Sequence, residues 1–160
     1  MHRMKFSLAF LLVVILVVSI PFAWFRWSRE EFVVNDAVSA GNTAVVQRWA
    51  RRRPKLLTDN QYYSPSMLLR AAVGSGNVET LAAIAPILLS KEKSKNVFNA
   101  LVLAIRNNDV EGVRVLLDAG LDPNANEDFS LLVDAKKRDQ TVIVDLLIEK
   151  GADPALALPW

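Results

Sequence analysis

Residues 117–129, LDAGLDPNANEDF, and residues 148–160, IEKGADPALALPW, carry the same punctuation 31 residues apart: a glycine, then an aspartate and a proline. A glycine just past a helix end can take the left-handed conformation that stops the helix, and a proline soon after keeps it from resuming. Each stretch therefore reads as a helix stop followed by a tight turn. Superposing the two stops aligns ALVLAIRNNDVEGVRVLLDAG, 100–120, with LLVDAKKRDQTVIVDLLIEKG, 131–151. Ala104 falls on Ala135, Val113 on Val144, Leu116 on Leu147, Leu117 on Ile148 and Asp122 on Asp153. Carried upstream, the frame places Ala72, Asn77, Leu81 and Ile84 in one copy and Ala37, Asn42, Val46 and Trp49 in another. Four copies result, with their alanines 35, 32 and 31 residues apart.

Each copy reads as two short antiparallel helices. The first is an apolar run of about seven or eight residues around the alanine, and in the second apolar residues recur at spacings of three and four. Between them lies a break: Gly41-Asn42, Gly76-Asn77, Asn108-Asp109 and Asp139-Gln140. Glycine, asparagine and aspartate tolerate the left-handed backbone such a break needs. One pair of this kind cannot bury its own apolar face, whereas stacked pairs can, and a period of about 33 residues is that of an α-helical solenoid.

These residues resemble the ankyrin repeat. The family's loop G-A-D-x-N-A is similar to GLDPNA, 120–125, and to GADPAL, 151–156, while GNVETL, 76–81, resembles its inter-helix turn and second-helix start. The resemblance covers residues 32–156 and is closest in the third and fourth copies. The family's T-P-L-H start is replaced by MLLR, NALV and SLLV, so the hydrogen bonds of that Thr and His are not carried over. The second copy has no glycine stop and runs through PILLSKEKSKN, which predicts a longer loop near residues 90–96. The resemblance implies an extended concave surface and protein binding rather than catalysis. Small bacterial ankyrin proteins of this layout, as the resemblance has it, neutralise a toxin or accompany an envelope enzyme.

Upstream of the repeats, residues 6–25, FSLAFLLVVILVVSIPFAWF, contain no charged side chain. A helix of that length, rising about 1.5 Å per residue, spans the hydrocarbon of a bilayer. Arg3 and Lys5 precede it; Trp24, Phe25 and Trp27 with Arg26 and Arg29 form an interfacial collar at its end, and no small-x-small cleavage site follows. The expected division is a basic flank over 1–5, an uncleaved transmembrane signal-anchor over 6–25, a linker over 26–31 and a repeat domain over 32–160. Lys and Arg balance across the span, and the α-amino group tips the N-terminus to the cytoplasm, leaving the repeats on the extracytoplasmic side of the cell membrane. The fold class is all-α: about four helix pairs in a solenoid after one transmembrane helix.

Composition removes several functions. With 52% hydrophobic residues the chain is too apolar for disorder. There is no Cys, and His2 is the only histidine, so disulfides, Cys zinc sites and histidine-based triads have no material. DPNANED, 122–128, lacks the alternating ligand order of a calcium loop, and no glycine-rich phosphate loop is present. No catalytic residue, metal or cofactor is expected; an enzyme working through unannounced carboxylates is one alternative reading.

Charge is unevenly placed. Residues 1–99 hold 13 Lys and Arg against 6 Asp and Glu, and residues 100–160 hold 6 against 11, so the net +2 conceals +7 followed by −5. Arg48, Arg51, Arg52, Arg53 and Lys55 close the first copy near the membrane, where anionic headgroups attract basic clusters. A solvated helix end is the plainer reading of that cluster. No nucleic acid is expected, because the acidic half repels phosphate and no aromatic residues interleave with the basic ones. The repeats call for a protein partner, with candidate contacts at Arg106, Asn107, Lys137 and Arg138 after the first-helix alanines and at Asn126, Glu127 and Asp128 in the intervening loop. The expected function is a membrane-tethered module that holds or inhibits a protein; a structural protein bound to anionic lipid is the other alternative.

Overall fold

The computed structural model describes residues 33–90, 94–126 and 129–154. Nine helices occur among them: α1 (Val34–Ser39), α2 (Thr43–Arg52), α3 (Lys55–Thr58), α4 (Pro65–Gly74), α5 (Val78–Leu89), α6 (Ser94–Arg106), α7 (Val110–Asp118), α8 (Leu131–Lys137) and α9 (Thr141–Glu149). No strand is present among the described residues. The expected anchor over 6–25 and its flanks lie outside them, and no described helix is long and apolar enough to cross a membrane.

The repeat frame becomes a two-layer stack. First helices α1, α4, α6 and α8 pack side by side in one layer, and second helices α2, α5, α7 and α9 do so in the other. The aligned positions form the seam: Ala72, Ala104 and Ala135 are buried, as are Leu81, Ile84, Val113, Leu116 and Leu147. A fully buried leucine or isoleucine contributes about 1.5–3 kcal/mol, so the run of them from Leu57 to Leu147 carries much of the cohesion. Trp49 is half-buried against the core. Ile148, the counterpart of buried Leu117, is 47% exposed because no further described pair lies over it.

Each inter-helix break is a left-handed residue followed by an N-cap. Gly41, Gly76, Asn108 and Asp139 have φ of 62°, 67°, 55° and 57°. In three copies the next amide donates back to the carbonyl of the aligned alanine: Asn42 to Ala37, Asp109 to Ala104, Gln140 to Ala135. This is the six-to-one bond of a Schellman stop, and it fixes the interval from alanine to break in those copies; in the second copy the Asn77 amide donates instead to the Ser75 hydroxyl at 3.2 Å. Side-chain oxygens of Asn42, Asn77 and Asp109 then accept from the amide three residues on, opening the second helix. Gly120 and Gly151 are also left-handed, with Schellman bonds from Leu121 to Leu116 and from Ala152 to Leu147.

Two connections depart from the sequence reading. Residues 94–96, expected in a loop, already belong to α6, because Val97, Phe98, Leu101, Ala104 and Ile105 continue one buried helical stripe. The link from α5 is therefore short, with 91–93 outside the described residues. Between the first two copies the chain adds α3, whose Leu56 and Leu57 are buried against its neighbours.

Candidate functional site

Three of the first helices, α4, α6 and α8, turn one stripe outward at positions i, i+3 and i+7, the spacing of a single helix face. On α6 the stripe is Asn99, Val102 and Arg106; on α8 it is Ser130, just before the first turn, then Val133 and Lys137; on α4 it is Met67, Arg70 and Gly74. Arg106 and Lys137 are exposed, and Val102 and Val133 are half-exposed. Equivalent residues lie on neighbouring helices, so the stripes form rows across the stack.

At the C-terminal ends of α6 and α8 the rows are tied together. Gln140 Nε2 donates to the Ile105 carbonyl at 2.7 Å, joining the last turn to the end of the preceding first helix. Arg106 and Asn107 end one helix and Lys137 and Arg138 end the neighbouring one, and all four are exposed. Arg138 Nε donates to Asp134 Oδ1 at 3.2 Å, which holds its guanidinium along α8. The other oxygen of Asp134 and the Gln140 side-chain oxygen are buried without a hydrogen-bond partner.

The loop candidates fall elsewhere. Asn126 is half-buried in the connection that leads into α8 and therefore lies at the opposite end of that helix from Lys137. Glu127 and Asp128 lie outside the described residues. The loop is held to its neighbour by Asn124, whose Nδ2 donates to the Gly151 carbonyl at 2.8 Å and whose Oδ1 accepts from the Asp153 amide at 2.9 Å. Residues 106, 107, 137 and 138 thus lie at corresponding ends of neighbouring helices, and 126 lies at the other end of α8.

Charge is sorted by layer as well as by chain half. In the third and fourth copies the first-helix ends carry Arg106, Lys136, Lys137 and Arg138 against Asp134 and Asp139, whereas the second helices carry Glu111, Asp118, Asp145 and Glu149 against Arg114. The cations near that acidic layer are engaged in ion pairs, Arg114 with Glu111 at 3.7 Å and Lys150 with Asp118 at 2.6 Å. The Asp118 hydrogen bond and charge raise the Lys150 pKa above the ordinary lysine value. The candidate first-helix residues lie on the basic side of that acidic half. The net count hid this, because it sums both layers.

The basic cluster of the first copy sits on α2 and at the start of α3. Arg48, Arg51, Arg52, Arg53 and Lys55 are all exposed. Among the described residues no group of His, Cys, Asp and Glu could hold a metal ion. A surface depression of about 280 Å³ beside α9 is lined by Lys136, Asp139, Gln140, Thr141, Val144 and Asp145. Neither histidine nor cysteine is among those residues to activate a nucleophile.

A family model described as ankyrin repeats (3 copies) matches residues 34–127. The match takes in the two upstream copies whose resemblance was weaker in the sequence, and stops before the fourth helix pair. No curated protein matches the chain. No solved structure does either.

Proposed function

The chain belongs to the ankyrin repeat family, a family of protein-interaction modules, and on that premise we propose that it is a membrane-tethered module that holds or inhibits a protein partner. The partner docks on the first-helix ends of the third and fourth copies, at Arg106, Asn107, Lys137 and Arg138. The observation that carries this reading is the Gln140–Ile105 bond, which makes one fixed, exposed tier out of two separate helix ends. A preset surface binds with less ordering cost than a mobile one.

Tethering rests on residues 6–25, an uncharged stretch of membrane-spanning length. The repeats then lie on the extracytoplasmic side, and the exposed cluster from Arg48 to Lys55 turns the first copy toward anionic headgroups. Covalent attachment raises the local concentration of that cluster, so weak attraction is enough to orient the stack.

Affinity capture from detergent-solubilised membranes tests the docking tier. The tagged full chain should retain a polypeptide that the R106A/N107A/K137A/R138A variant loses while keeping its helical circular dichroism. Equal retention by both chains, or by neither, overturns the reading.

A further inference from the structure

The outward stripe carries more than charge. Along α6 and α8 the basic row of Arg106 and Lys137 runs beside an apolar row, Val102 and Val133, one helical turn away. Phosphate and nucleic-acid sites pair basic groups with aromatic platforms or backbone amides, and this face offers aliphatic side chains instead. A partner that uses both rows supplies anionic and apolar groups side by side, as an acidic polypeptide does with its carboxylates and aliphatic side chains.

We infer that the outward face of α6 and α8 takes an extended polypeptide segment, laying apolar side chains over Val102 and Val133 and carboxylates over Arg106 and Lys137. The inference rests on the docking reading above and gives its partner a chemistry. Neighbouring packed helices lie about 8–10 Å apart, so the two carboxylates must be separated by about that distance. A polyproline-type helix has three residues per turn and rises about 3.1 Å per residue, placing every third side chain on one side about 9 Å from the last. An acidic residue at every third position of an extended segment matches the step of the stack.

The probe is a labelled peptide of five Glu-Val-Pro triplets, read by fluorescence anisotropy against the full chain in detergent. Binding should weaken about fivefold in R106Q/K137Q, the worth of two exposed ion pairs, and similarly when Gln replaces Glu in the peptide. V102S/V133S should also weaken it, while R51Q/R52Q/R53Q, with more charge removed, should leave it within about twofold. Absence of binding, or an equal loss in the arginine triple variant, overturns the proposal. So does binding to phosphatidylserine vesicles that R106Q/K137Q abolishes while peptide affinity is unchanged. If the capture experiment succeeds and the peptide does not bind, the docking tier stands and the acidic segment falls.

Discussion

The first two inter-helix turns and the last two make the same bend from different residues. Gly41 and Gly76 enter the left-handed region without a side chain, whereas Asn108 and Asp139 enter it with one. The following residue differs in its duties too. Asn77 caps α5 through Thr80 N at 3.0 Å and reaches back to the Gly41 carbonyl at 3.1 Å. Gln140 makes no cap and spends its amide on Ile105. The backbone requirement is therefore strict and its chemistry is negotiable. Where glycine is given up, the turn gains exposed polar groups, and those copies carry the proposed docking tier.

The largest effect should separate two glycines. A Cβ at Gly41 would lie 2.9 Å from the Asn77 Cβ, while a Cβ at Gly76 would meet nothing within 4 Å. Both alanine variants bear the left-handed penalty of about 1–2 kcal/mol, but Gly41→Ala also displaces the tie between the first two copies. Thermal melts should show Gly41→Ala losing about 2–3 kcal/mol and Gly76→Ala about half of that. Equal losses would mean that the contact across copies is unimportant.

Next come the residues after the bend. Asn77→Ala removes a cap and an inter-copy bond together and should cost about 1–3 kcal/mol in denaturant unfolding. Gln140→Ala removes one bond and frees the Ile105 carbonyl to water, for about 1 kcal/mol. A larger loss at Gln140 than at Asn77 would break the comparison.

Asp139→Gly should raise stability by less than about 1 kcal/mol, since relief of the left-handed strain is partly offset by a more flexible unfolded chain. A loss in melting temperature would show that the Asp139 side chain does something beyond occupying the turn.

The smallest effect is a pH dependence. The Lys150 pKa is raised in the folded chain by Asp118, so its contribution is present below the ordinary lysine value and fades as pH climbs through the raised one. Melts of wild type and Lys150→Met should differ slightly at neutral pH and converge in strong alkali. A difference that grows with pH would contradict the pairing.

Much of this arrangement was legible in the sequence. The repeat frame placed all four turns, and in three of them the interval from the alanine to the break is that of a Schellman stop. The start of α6 was misread because the lysine-rich stretch before Val97 resembles a loop, and its buried stripe shows only once Val97 and Phe98 are grouped with Leu101. The helix α3 has too few residues to display a period. For the docking tier, residue identities were visible and their adjacency was not. The helix ends that carry Arg106 and Lys137 are joined by a bond from Gln140 to a backbone carbonyl, which leaves no trace in a pattern of side chains.

Site-specific photo-crosslinking compares the two layers most directly. A photo-reactive residue replacing Asn107 sits on the first-helix tier, and one replacing Ala82, also exposed, sits on second helix α5. In native membranes the chain carrying the group at 107 should form a discrete adduct with another polypeptide, and the chain carrying it at 82 should not. Adducts of equal yield at both positions, or an adduct at 82 alone, would contradict a docking face on the first-helix layer.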